Sequence, residues 1–227
     1  MTTRYRLRWA RYGKLRYLSA NDLAMVLERS VRRAKLPLAY SQGFTPHPKI
    51  SFATALPVGY GSVAELLDVT LTERLDPDEV KERFNAGLPD DLRMLGAAFL
   101  RDDAVKLGTA AAAADYSITH TGSWLPDALA RFMALERYEF VRRFKGSERV
   151  DDLRAGVIDA STDGSTIEMR CALQPRAVRP TDVVSALAEI AGRPVPHVGV
   201  TRTRLLMSHE GDLVPIDEHG AQGVMAR

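Results

Sequence analysis

The chain has 227 residues, 45% hydrophobic and 26% charged, with a formal net charge of +2. That length suits two domains of about 100 residues each, and the composition is that of an ordinary globular protein. No apolar run reaches the roughly 18 residues of a membrane-spanning helix, and the opening MTTRYRLRW has no apolar secretion core. The single cysteine, Cys171, can close no internal disulfide, so a cytoplasmic location with no membrane contact is expected.

The small net charge conceals a segregation. Residues 1–50 carry eleven Lys/Arg against two acids, Asp22 and Glu28, whereas the remainder carries twenty Lys/Arg against twenty-seven acids. A concentrated positive field suits a polyanionic partner. The alternative is that folding scatters these cations over several faces.

Taken in order, Arg4, Arg6 and Arg8 alternate with Tyr5, Leu7 and Trp9, the pattern of a half-buried strand with arginines on one face and apolar residues on the other. Gly13 marks a turn. Ser19 with Asp22 resembles an acidic capping box, and Leu23, Leu27, Ser30, Val31 and Ala34 form one face of the helix that Pro37 stops. Then comes YSQGFTPHPKISF, residues 40–52. Pro46 and Pro48 bracket His47 and fix φ on both sides of it, while Gly43 allows a turn. This stiff loop presents Ser41, Gln42, His47 and Lys49; Tyr40 and Phe44 are candidates to stack on bases or to wedge the loop onto the core, and wedging is the expectation for Phe44. A stiff connector with no binding role is the plainer reading.

Strands are expected at about 49–54 and 63–71, a short helix opening at Asp76-Pro77, and a strand at 92–100. Strand, helix, strand, strand, helix, strand is the ferredoxin-like order. Residues 102–114, with five consecutive alanines, form the best domain boundary and linker, or equally a short helix, since alanine is the best helix former. The pattern then recurs: strand 116–121, helix 126–135, strand 138–144, an insertion near 147–152, a hairpin about Asp163-Gly164, helix 180–191 and strand 198–207. The expected fold is therefore α+β: two tandem ferredoxin-like (βαββαβ) domains, 1–101 and 115–208, the second with an insertion, and a flexible tail at 209–227.

Five histidines (47, 120, 197, 209 and 219) and one cysteine show no close metal-ligand spacing. Walker A, G-x-G-x-x-G and G-x-S-x-G motifs are absent. No metal or cofactor is expected. His47 and Asp22 remain as candidate acid/base residues, although capping already accounts for Asp22.

Residues 4–65 are similar to the radical SAM-linked protein family of bacteria. The segments that carry the likeness are RYRLRWARYGKLRYLS, ERSVRRAKLPLAYSQGFTPHPKISF and ALPVGYGSVAE, with VDDLRAGVIDA further on. One position departs: the resemblance expects Ser-His-x-Asp at the start of the first helix, and the chain has Ala20 in the histidine's place. The resemblance implies a radical SAM protein as partner, with cobalamin-type binding, encoded near ribonuclease and ribosomal genes. This chain has no C-x-x-x-C-x-x-C for an iron–sulfur cluster. The expectation is an RNA-binding accessory protein that presents RNA of the tRNA or rRNA class to that partner. Arg4, Arg6, Arg8, Tyr40, Ser41, Gln42, His47 and Lys49 are the expected RNA contacts. A metal-independent RNA-processing or RNA-modifying enzyme using His47 and a protein–protein adaptor without nucleic acid are the alternatives.

Overall fold

The structure is a computed structural model and describes residues 2–144, 146–218 and 221–222. It is mixed α+β, with mostly antiparallel strands. The chain divides into two compact units, Met1–Ala111 together with Arg204–Arg227, and Ala112–Thr203.

In the first unit, β1 (Thr3–Arg11) is flanked by β3 (Gly61–Leu71) and β4 (Leu92–Leu100), antiparallel to both. The three-residue β2 (Ile50–Phe52) pairs with β3. The other elements are α1 (Ala20–Arg33), α2 (Pro77–Gly87) and the single-turn α3 (Leu107–Ala110). The alternation in β1 sets the layers. Tyr5, Leu7 and Trp9 join Leu67, Val69, Leu71 and Met94 in one core with Leu23, Leu27 and Val31 of α1 and Val80 and Phe84 of α2. Arg6 and Arg8 therefore lie on the opposite sheet face. Both helices start where the sequence indicates. Ser19 Oγ accepts the Asp22 amide at 3.2 Å, and Asp76 Oδ1 accepts the Asp78 amide at 2.9 Å ahead of Pro77.

The second unit contains β5 (Ala113–Thr119), α4 (Leu125–Met133), the hairpin β6 (Glu139–Phe144) and β7 (Ser147–Asp152), α5 (Leu153–Gly156), β8 (Val157–Thr162), β9 (Thr166–Ala172) and α6 (Pro180–Ala191). Its sheet runs β10-β5-β9-β8, where β10 (Gly199–His209) lends its first half here and its second half to the first unit. The Asp163-Gly164 turn forms as expected: Asp163 Oδ1 accepts the Ser165 and Thr166 amides, both at 2.8 Å, and Gly164 has φ 96°.

The boundary between the units, Ala111 to Ala112, falls inside the expected 102–114 stretch, which holds the short helix α3 with Leu107 buried before Ala113 and Ala114 enter β5. One expectation is corrected: the tail is not frayed over residues 209–218. Asp212–Pro215 forms β11 against β10, and the Ile216 amide donates to Leu205 O at 3.0 Å. A further short strand, β12 (Ala221–Gln222), pairs with β4. Residues 219–220 and 223–227 of the expected tail lie outside the described residues.

The inserted hairpin is tied down through a buried carboxylate, Asp151. Arg149 donates to Asp151 Oδ2 at 2.6 Å and Arg176 to Oδ1 at 2.9 Å. Burial alone would raise the Asp151 pKa, but those hydrogen bonds, with the charges of Arg149 and Arg142, hold it below the usual carboxylate value. With the folded value depressed, the stabilisation is present above the unfolded carboxyl pKa of about 3.9 and is lost as pH falls through the folded value. Denaturant midpoints of the full chain should therefore drop between about pH 5 and pH 2. Asp151→Asn should lower the midpoint at neutral pH and make this acid drop shallower. An equally steep drop in the variant would assign the acid sensitivity to other groups.

Candidate nucleic-acid interface

The strand arginines do not form an open binding face. Arg6 is fully buried: Nε meets Asp68 Oδ1 at 2.8 Å and Nη2 meets Oδ2 at 3.0 Å. Its remaining donors reach Val105 O at 2.9 Å and Ile216 O at 3.3 Å. Arg8 Nη1 pairs with Asp217 Oδ2 at 3.3 Å, both side chains largely covered. Chain after β4 and chain after β11 thus close over the sheet face that alternation alone leaves bare. This corrects the expected RNA contacts at Arg6 and Arg8, whose charges are spent inside the protein. Arg4 is half-buried and lines a depression with Arg74 and Arg101, where the Arg74 guanidinium lies 4.0 Å over the Phe99 ring. The sequence held a signal for the closure, the apolar run Leu213–Ile216 followed by Asp217, but it sits far from β1 in the chain.

The loop is built as its prolines suggest. Tyr40 and Pro48 form a β-bridge; the Ser41 amide donates to His47 O at 2.8 Å and the His47 amide to Ser41 Oγ at 3.0 Å. Below this neck the Lys49 amide donates to Ala39 O at 2.8 Å. Gln42, His47 and Lys49 are exposed, and Tyr40 is 42% exposed. Phe44 does not wedge the loop onto the core. It stands fully in solvent at 111% relative exposure, because the backbone bonds at the neck already close the loop and Gly43, at φ 131°, turns the tip outward.

Among the described residues no acid/base partner is set against His47 or left free on Asp22. The His47 imidazole makes no hydrogen bond among the described residues, and Asp22 is occupied by Ser19, whose hydroxyl donates to Asp22 Oδ2 at 2.7 Å. Among the described residues no three His, Cys, Asp or Glu side chains cluster as metal ligands. Burial pushes the Cys171 thiol well above its ordinary pKa, so it stays protonated.

The basic surface that survives folding is the outer face of α1. Arg29, Arg32 and Arg33, spaced i, i+3 and i+4, line one groove of about 590 Å³ with Leu15, Val26 and Pro89. All three are exposed, as are Lys35 and Lys49. Among the described residues none of these five cations is paired with a carboxylate. Arg33 reaches only Ser30 Oγ, at 3.2 Å. Next to the groove's Leu15, Arg16 stacks at 4.9 Å on the ring of Tyr17, which is 57% exposed. The helix spacing of the three arginines was legible in the sequence, but the groove was not, since its walls come from three separated segments. In the last turn of α1, Arg32 and Arg33 also complement the helix dipole, a purely structural use worth a few tenths of a kcal/mol up to about 1 kcal/mol each.

Fold and surface together define an α+β protein that neutralises its inner arginines and leaves a cationic helix face and a stiff aromatic loop exposed. The chain belongs to the bacterial family described as "Uncharacterized protein conserved in bacteria (DUF2344)", matched over residues 4–181. No curated protein matches it. A solved structure described as an unknown protein from Galdieria sulphuraria is similar at 11% identity and a TM-score of 0.27, covering 89% of this chain and 99% of that one. No described helix is long and apolar enough to cross a membrane.

Proposed function

We propose that this is a cytoplasmic RNA-binding accessory protein that grips single-stranded or looped RNA along α1 and presents it to a radical SAM partner. The observation that carries the reading is the Arg29, Arg32 and Arg33 groove. Three guanidiniums on one helix face, without carboxylate partners among the described residues, are the side chains suited to bidentate phosphate contacts. Lys49, Tyr40 and the fully exposed Phe44 add a cation and two rings for stacking on unpaired bases. The partner rests on the family resemblance. With Cys171 as the only cysteine, this chain lacks the thiolates for an iron–sulfur cluster of its own, so cluster chemistry falls to another protein.

The strand orders β4-β1-β3-β2 and β10-β5-β9-β8 support reading both units as variants of the ferredoxin-like plan, with β6–β7 inserted in the second. An enzyme reading through His47 has no such support, since no described residue orients the imidazole.

Filter binding of a single-stranded RNA over a salt series tests the proposal. Three phosphate contacts predict a log–log slope near −2, at roughly 0.7 per contact. Absence of RNA affinity, or affinity indifferent to salt, would overturn it and favour docking to another protein.

A further inference from the structure

Where β1 begins and β4 ends lies a depression of about 410 Å³ that shares no lining residue with the α1 groove. Arg4, Arg74 and Arg101 stand around it with Phe99, Asp102 and Asp103. Arg4 is the exception among the arginines of β1. Arg6 and Arg8 reach internal carboxylates, and Arg11 Nη2 donates to Pro57 O and Tyr60 O, both at 3.1 Å. The half-buried Arg4 guanidinium has no hydrogen-bond or ion-pair partner among the described residues. A charge partly withdrawn from water without a counter-charge is unfavourable, and an anion arriving from solution relieves that cost.

Arg74 also lacks a carboxylate partner among the described residues, yet it is not loose. Its guanidinium lies 4.0 Å over the Phe99 ring, and Phe99 packs on Tyr5 with ring centroids 5.3 Å apart. Stacking fixes the plane of the guanidinium and leaves its N–H donors for a ligand, which lowers the ordering cost of binding. Arg101 pairs with Asp103 at 2.7 Å, but those side chains are 52% and 65% exposed, so an incoming anion competes with little loss. Two unpaired guanidiniums suit a terminal phosphate, which carries nearly two charges and three acceptor oxygens and can be met by a two-pronged fork. The acids narrow the class further. With two aspartates against three arginines, the lining is only weakly positive, and a long polyanion gains little from it. Asp102 is exposed and has no hydrogen-bond partner among the described residues. A carboxylate accepts only, so it repels the next phosphate of a nucleic-acid backbone and receives the hydroxyls of a sugar.

We propose that this depression binds the terminal phosphate of a sugar phosphate, with Arg4 and Arg74 on the phosphate oxygens and Asp102 on a sugar hydroxyl. The site does not depend on the RNA groove. A free sugar phosphate and the 5′-phosphorylated end of an RNA offer the same chemistry. The test titrates ribose 5-phosphate into the ¹⁵N-labelled full-length protein at low salt. Backbone amide signals of residues 99–103 should shift saturably, and ribose should shift none of them. Arg4→Gln and Arg74→Gln should each weaken binding by about tenfold, with circular dichroism unchanged. Should Arg4→Gln misfold, Arg74→Gln alters an exposed residue and carries the test alone. Asp102→Ala should weaken ribose 5-phosphate while inorganic phosphate binds as tightly or more so. No saturable shift, equal binding of ribose and its phosphate, or full affinity in Arg74→Gln overturns the proposal. One short single-stranded RNA, made with a 5′-phosphate or a 5′-hydroxyl, separates the sources. A preference for the phosphorylated end that Arg74→Gln removes assigns the site to an RNA end. Equal binding of the two RNAs beside a ribose 5-phosphate response assigns it to a free sugar phosphate. That response without affinity for either RNA makes the same assignment and sinks the RNA reading alone.

Discussion

Arg6→Ala should destabilise the first unit by about 3–5 kcal/mol, the cost of leaving a buried carboxylate without its partner. Asp68, 8% exposed at its side chain, would lose a two-point ion pair, and the carbonyls of Val105 and Ile216 would lose their donors. Replacing both members with apolar residues of similar size, as in Arg6→Met with Asp68→Leu, should recover most of that loss, because the desolvation cost disappears along with the attraction. Urea unfolding of the two variants beside the parent measures this directly. A stable Arg6→Ala protein with weakened RNA affinity would contradict the buried geometry and return the sheet face to contention as a binding surface.

The triple reversal Arg29→Glu, Arg32→Glu and Arg33→Glu should reduce RNA affinity by about a hundredfold or more, taking each lost charge-assisted contact at about 1 kcal/mol or above. The salt slope should flatten by about 2. Arg137→Glu, an exposed arginine of the second unit paired with Glu139, provides a control that should leave binding unchanged. Because Arg32 and Arg33 also face the negative end of α1, circular dichroism and a denaturation curve must accompany the measurement. If the triple variant binds RNA as tightly as the parent, the α1 groove is not the nucleic-acid surface.

What could be read from the sequence follows the range of the interactions. The arginine and apolar alternation of β1, the Ser19–Asp22 cap, Pro77 at the start of α2 and the Asp163-Gly164 turn are all local, with periods or motifs a few residues long. Each is found where the residues indicate. What covers the second face of β1 is not local. Ile216 and Asp217 are more than two hundred residues from Arg6 and Arg8, and no periodicity links them. Counting cations therefore overstated the free positive charge of the first fifty residues, since Arg6, Arg8 and Arg11 are consumed by internal partners. Phe44 was misread for a related reason. An aromatic in a stiff loop suggests an anchor, but backbone hydrogen bonds at the Tyr40–Pro48 neck already do the anchoring.

The return of Arg204–Arg227 to the first unit bears on the order of events during synthesis. On a ribosome the first 111 residues emerge with Arg6 and Asp68 already able to pair, but the carbonyl of Ile216 and the carboxylate of Asp217 are still untranslated. At about 5–20 residues per second, some five to twenty seconds pass before those groups exist. During that interval the arginine face of β1 is a nascent surface open to water and to ribosomal RNA, and it closes only when the last strands are made.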